Sequence, residues 1–310
     1  MDLYQKTYDL VRQIPSGKIS TYGTVARALG DVRAARAVGR MMNQNPNADT
    51  MPCFRIVYSD GSIGGFGLGV DNKIRRLEED GIKVSDGRIH DFDSIFFDTF
   101  DTSYPLKQLR AQQIEMREKV DTTDQYQTIE TVAGFDVAYP ENDFDDCCCA
   151  GVIFDYKTKE IIEEQTLFAP VRIPYIPTYL AFREAPLIEA LVEKMNTPPS
   201  ILMVDGNGIL HPYHCGIACQ VGINTGYPCI GVAKGLLCGS IHDQVIDVDG
   251  SPVGFSLFAH AQVKKPVYVS PGHHISLESA KTIATHFARL KIPEPLRAAH
   301  NLATQTLKNE

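Results

Sequence analysis

Pro52-Cys53-Phe54-Arg55-Ile56-Val57, followed by Ser59-Asp60-Gly61-Ser62-Ile63-Gly64-Gly65-Phe66, sets one cysteine between a proline and an arginine, ahead of a glycine-rich strand-turn segment. A lone cysteine is ordinarily a small buried apolar residue. Its surroundings ask for more. Leu3 to Ile14 has the apolar spacing of an amphipathic helix and stops at Pro15-Ser16-Gly17. Ser20-Thr21 caps a second short helix through Val25, Ala26 and Leu29, which Gly30 ends, and a third runs from Arg33 to Asn43. Two short helices with a tight connection outline a helix-turn-helix.

At 310 residues the chain has room for two domains, each with its own core. Its 44% hydrophobic and 22% charged residues are ordinary for a soluble globular protein. No apolar run reaches the length of a membrane span, and Met1 to Lys6 lacks a signal-peptide pattern, so no membrane partner and a cytoplasmic location are expected. Eight cysteines, three of them adjacent at Cys147–Cys149, form no disulfide framework and are expected as thiols. The net charge of −8 speaks against nucleic acid until the chain is divided. Residues 1–90 carry 13 Lys+Arg against 10 Asp+Glu, and residues 91–310 carry 17 against 28. Local patches must then bind phosphate, while an acidic cluster suits a metal-dependent nuclease.

Residues 82–103 turn polar and Asp-rich, which places a linker at 91–103 between domains 1–90 and 104–310. A charged helix from Leu106 to Val120 follows. Strand patterns at Thr131–Tyr139, Cys148–Tyr156 and Glu160–Phe168 read as an antiparallel meander. A helix from Thr178 to Met195, a buried strand Ile201–Val204, a helix near His211–Asn224 and a strand Cys229–Ala233 imply a parallel pair in a mixed sheet.

The first 82 residues resemble the O6-alkylguanine-DNA alkyltransferases through Ile14-Pro15-Ser16-Gly17-Lys18, Thr21-Tyr22-Gly23, Ala35-Arg36-Ala37-Val38-Gly39, Asn45-Pro46 and Pro52-Cys53. The resemblance implies a winged helix-turn-helix that enters the minor groove of alkylated DNA. It implies that Arg36 fills the space of a flipped guanine, Tyr22 assists phosphate rotation, Asn45 supports the cysteine loop and Cys53 accepts the alkyl group irreversibly. The chemistry needs a thiolate. In that family a histidine next to the cysteine, oriented by a glutamate, lowers the thiol pKa. Phe54 stands where that histidine belongs, and Asp80 where the glutamate would be. Two readings follow: Cys53 still transfers the alkyl group, or the domain is a non-catalytic module that only binds alkylated guanine.

Downstream, Asp136 lies on a strand face shared with Val132, Gly134 and Ala138, which leaves room around a carboxylate. Asp205 ends the apolar run Ile201-Leu202-Met203-Val204, and Glu184 sits in an apolar helix. Three hard oxygen donors on three elements suit Mg²⁺ or Mn²⁺ rather than zinc. Gly134-Phe135-Asp136-Val137-Ala138-Tyr139, Pro174-Tyr175-Ile176-Pro177, Phe182-Arg183-Glu184, Val204-Asp205-Gly206-Asn207-Gly208, His211-Pro212 and Gly231-Val232-Ala233-Lys234 together resemble endonuclease V. That resemblance implies a ribonuclease H-like fold and Mg²⁺-dependent nicking of DNA at the second phosphodiester 3′ to hypoxanthine. It implies Asp136, Asp205 and Glu184 as metal ligands and Tyr175 as the wedge that fills the gap left by the displaced base. Gly206 and Gly208 would let backbone amides approach that base, Lys234 would meet the scissile phosphate, and His211 would lie close to the metal. His300 matches a late residue supporting a second metal. Inosine in RNA stays open as a second substrate. The expectation is therefore an α/β chain of two DNA-repair domains acting on damaged DNA.

Overall fold

A computed structural model describes residues 1–141, 145–260 and 262–309. Contacts divide it into two units, Met1–Arg110 with Arg172–Pro177, and Ala111–Val171 with Thr178–Glu310. No helix among the described residues is long and apolar enough to cross a membrane.

In the first unit α1 (Leu3–Arg12) starts where the Asp2 carboxylate accepts the Gln5 amide at 3.0 Å. It buries Leu3, Leu10 and Val11. Thr21 closes β1 (Ser20–Thr21) and caps α2 (Tyr22–Leu29), its hydroxyl accepting from the Thr24 amide at 3.1 Å. Gly30 ends α2 at φ 111°, a conformation that a side chain would strain. The helix expected from Arg33 opens as a 3₁₀ turn, Val32–Ala34, and continues as α3 (Ala35–Asn43).

Cys53 lies in the 3₁₀ turn Pro52–Arg55, which feeds β2 (Ile56–Val57), paired parallel to β1. Next, α4 (Val70–Glu79) turns Lys73 and Leu77 inward, one helical turn apart. The hairpin β3 (Val84–Ser85) and β4 (Arg88–Ile89) follows. Ile19, Val57, Ile63, Leu77, Ile82 and Ile89 form the core here, and Phe54 packs against it.

Residues 91–103 are expected as a linker, yet Phe92, Ile95 and Phe96 pack on this core. They belong to the short helix α5 (Phe92–Ile95) and a bridge from Ile19 to Phe96, and the Phe97 amide donates to the Ile19 carbonyl at 2.7 Å. The division between units falls later, inside α6 (Pro105–Arg117).

Among the described residues the second unit is built on a nine-stranded sheet. The expected meander is β5 (Thr131–Ala138), β6 (Asp146–Asp155) and β7 (Ile161–Pro170). On its other side β5 pairs parallel with β8 (Ile201–Asp205), and β8 pairs parallel with β9 (Cys229–Ala233). Then β10 (Ser240–His242), β11 (Val245–Val248), β12 (Ser251–Leu257) and β13 (Val267–His273) extend the sheet antiparallel from β9. Apolar residues cover both faces. Ala133, Phe135 and Val204 pack with α7 (Leu180–Val192) and α8 (Ile217–Thr225). Val132, Met203 and Ile230 pack with α9 (Leu277–His286) and α10 (Glu294–Lys308).

Gly134 decides how close α10 can come. A Cβ there would lie 2.2 Å from the Pro295 carbonyl carbon, so only glycine lets the start of α10 rest on β5. Asp136, two residues along the same strand face, thereby comes within reach of α10.

Candidate functional site

Asp136 and Asp205 stand toward the carboxyl ends of the neighbouring parallel strands β5 and β8, and Glu184 enters from the second turn of α7. Asp136 and Glu184 are each 9% exposed. Burial, with the charges of Asp136 and Asp205 added, pushes Glu184 up to about 8 against the Tyr139 hydroxyl and Arg183. Burial and then the Asp136 charge raise Asp205, opposed by Lys234 and His300. The Asp136 charge thus makes both Glu184 and Asp205 harder to ionise, and the Asp205 charge adds to the effect on Glu184.

Each acid has a protein partner. His300 Nδ1 lies 2.6 Å from Asp136 Oδ2, Lys234 Nζ pairs with Asp205, and Tyr139 donates to Glu184 Oε1 at 3.0 Å. The Arg183 guanidinium lies 3.8 Å from the centre of the Tyr139 ring. Burial works to lower the Lys234 pKa, and Asp205 overcomes it and raises it. Among the described residues no three His, Cys, Asp or Glu side chains are gathered as a ready metal cage. The donor set nevertheless fits a divalent cation: hard oxygens, buried together, whose mutual repulsion such an ion would cancel.

The remaining expected residues fall as follows. His211 is buried in the turn after β8, its Nδ1 accepting the Tyr213 amide at 3.2 Å. The Gly206 amide donates to the Val232 carbonyl at 3.0 Å and the Gly208 amide to the Ser270 hydroxyl at 2.8 Å. Their missing side chains make room for Ile217 and the Pro271 backbone respectively. Tyr175 is 61% exposed, held by buried Ile173 and Ile176. Its segment, Arg172–Pro177, groups with the first unit although the expected domain boundary places it in the second. The Leu3 amide donates to the Arg172 carbonyl at 2.9 Å.

In the first unit Tyr22 and Arg36 line one cavity of about 680 Å³, together with Arg27, Asn43 and Tyr58. Cys53 is 1% exposed, and its sulfur accepts from Asn45 Nδ2 at 3.0 Å. Burial raises the thiol pKa, while Asn45 and the charge of Lys73 lower it. Phe54 joins the apolar core, which explains the ring at that position.

Asp80 does not orient residue 54. It takes Arg55 in a two-pronged pair, Nε to Oδ2 at 2.6 Å and Nη2 to Oδ1 at 2.9 Å, and accepts Ser16 Oγ and the Gly17 amide. Burial alone would raise Asp80, but these bonds outweigh it and hold it below the usual carboxylate range. The pair ties the cysteine turn to the Pro15-Ser16-Gly17 turn. Removing one partner of such a pair costs roughly 3–5 kcal/mol, because the other charge is left buried. Asp80→Asn is therefore expected to lower the unfolding free energy of the first unit by about 3 kcal/mol, read by hydrogen exchange of its peptides. A change below about 0.5 kcal/mol would show a pair that contributes nothing.

Two residues here escaped the sequence reading. Tyr139 stood at the end of a strand pattern and of the Gly134–Tyr139 stretch, with no role assigned to it. Lys73 lay in the charge-rich stretch Val70-Asp71-Asn72-Lys73-Ile74-Arg75-Arg76. Its spacing to Leu77, i to i+4, was the available signal for an inward-facing amine.

Comparison with known proteins agrees with both units. Residues 114–301 match the family model of endonuclease V, and residues 2–82 that of the 6-O-methylguanine DNA methyltransferase, DNA binding domain. The bifunctional methyltransferase/endonuclease of Picrophilus torridus is 38% identical over 309 residues, covering 100% of this chain and 98% of that one. That of Thermoplasma volcanium is 36% identical, covering 97% and 89%. Among solved structures, endonuclease V of Ciona intestinalis, in complex with a 24mer DNA containing an inosine followed by a ribo-adenosine, superposes with a TM-score of 0.61. It is 26% identical and covers 66% of this chain and 98% of that one.

Fold and site together define a DNA-repair protein of mixed α/β class, in which an alkyltransferase-type DNA-binding domain is followed along the chain by an endonuclease V-like sheet. The chain belongs to the bifunctional methyltransferase/endonuclease family. Its nuclease half is of a metal-dependent type.

Proposed function

We propose that the second unit nicks DNA at the second phosphodiester 3′ to a deaminated base, and that the first moves the alkyl group of O6-alkylguanine onto Cys53, both in the cytoplasm. The observation that carries the nuclease reading is the gathering of Asp136, Glu184 and Asp205 with Lys234 and His300. Asp136, Asp205 and Glu184 would hold Mg²⁺, with Mn²⁺ as a substitute, and the bound ion would activate water and stabilise the leaving oxygen. His300 holds the Asp136 carboxylate in place and would support a second ion. Tyr139 does the same for Glu184. Lys234, half-exposed, leaves Asp205 to meet the scissile phosphate. Tyr175, exposed between two prolines, enters the stack where the base is displaced. His211, Gly206 and Gly208 shape the turn that receives that base. The inosine-containing DNA bound by the Ciona enzyme supports the choice of lesion.

Tyr22, Arg36 and Asn45 serve the first site as phosphate, guanine-space and cysteine-loop contacts. Phe54 favours a second reading, in which this unit binds alkylated guanine without taking the alkyl group. Nicking is tested with a deoxyinosine duplex. A single nick in Mg²⁺, lost in EDTA and restored by excess Mg²⁺, is expected; an intact duplex in Mg²⁺ overturns the nuclease reading.

A further inference from the structure

Lys73 has no exposed surface, and among the described residues no other lysine or arginine is buried so completely. A buried ammonium ordinarily needs a counter-charge. Among the described residues Lys73 forms no ion pair. Its Nζ donates to the Ile56 carbonyl at 2.6 Å and the Gly65 carbonyl at 3.2 Å. Two acceptors match the two N–H bonds of a neutral amine, and leave its lone pair unspent. Ile56 closes the turn that carries Cys53, its amide donating to the Cys53 carbonyl. The amine is therefore fastened to the cysteine turn itself.

The titratable and charged groups around it are few. Cys53 comes from the turn Pro52–Arg55, Tyr22 from α2 with its ring centre 5.9 Å from Nζ, and Tyr58 from the end of β2, 5.2 Å from the Tyr22 ring. Arg12 of α1 contributes charge at Cys53. Burial brings the Lys73 amine down to about 7, and the Cys53 charge is the one influence that resists. Burial and the charges of Tyr58 and Cys53 raise Tyr22 to about 12, which leaves it protonated and unable to act as a base near neutrality. Phe54 can accept no proton.

We propose that Lys73 takes the proton of Cys53, so that an amine on α4 does the work of the histidine this chain lacks. The inference rests on the alkyl-transfer reading. The S–H proton passes to Nζ, giving a thiolate beside an ammonium. The sulfur then attacks the alkyl carbon, the bond from that carbon to guanine O6 breaks, and its electron pair stays on the guanine. The ammonium proton neutralises the departing guanine, and Lys73 ends neutral again. Burial of both groups favours moving the charge between them over exporting it.

The test uses the full chain labelled with [3-¹³C]cysteine and, separately, [6-¹³C]lysine, with the Cys53 signal assigned by Cys53→Ser and followed against pH by NMR. In the unmodified protein the Cys53 and Lys73 signals should move in one shared step, and in Lys73→Met the Cys53 step should shift to higher pH. Methyl transfer at pH 7.5 should fall about 100-fold in Lys73→Met, with affinity for the same duplex kept within about threefold. Separate steps in the unmodified protein, or an unmoved Cys53 step in the variant, overturn the assignment. The first criterion needs no variant to fold. If the unmodified chain takes up no methyl group at any pH, the alkyl-transfer reading fails, while the titration still decides the pairing of Lys73 with Cys53.

Discussion

Asp205→Asn abolishes nicking of a deoxyinosine duplex while leaving the protein folded and bound to that duplex. The expected loss is about 10³-fold or more, the equivalent of several kcal/mol of metal-assisted charge stabilisation. The sign of the stability effect separates this outcome from unfolding. Burial and the Asp136 charge both disfavour the Asp205 carboxylate, so a neutral amide relieves repulsion among these side chains. Lys234 loses its partner but is half-exposed and can turn to solvent. A melting temperature at or above that of the parent chain, with nicking gone, is the expected pair of results. Nicking within about tenfold of the parent would remove Asp205 from the reaction.

The second large effect is Cys53→Ser, which should reduce alkyl uptake from O6-methylguanine DNA below detection. A serine hydroxyl is far less acidic than a thiol and has no base strong enough to ionise it in this site. Lesion binding should survive, because the cavity walls come from Tyr22, Arg36 and their neighbours. The Asn45 amide loses only a weak sulfur acceptor and keeps a hydroxyl in its place. Uptake that persists in this variant would move the acceptor to another side chain. The two substitutions should be independent: each removes one activity and spares the other.

Much of this arrangement could be read from residue order. Asp136 announced itself by alternation along β5, Asp205 by ending an apolar run, and Glu184 by its place in an apolar helix. Gly134, two residues before Asp136, was visible as space around a carboxylate, although the structure shows that α10 uses that space. Lys73 was hidden because charge-rich helices normally face water, and the one inward lysine differs from its neighbours only in phase. Residues 91–103 misled for a related reason: acidic composition outweighed the i, i+3, i+4 spacing of Phe92, Ile95 and Phe96. The grouping of Arg172–Pro177 with the first unit rests on contacts between distant parts of the chain, such as Leu3 with Arg172, which no local pattern encodes.

Whether Cys53 reacts despite Phe54 decides between two enzymes in one chain and one. Incubating the full chain with an O6-methylguanine duplex, measuring its intact mass and mapping the modified peptide answers that. The expected result is a gain of one methylene, located on Cys53, with guanine restored in the DNA. Unmodified protein that still binds the methylated duplex would contradict it, and would leave the first unit a lesion reader beside a single enzyme.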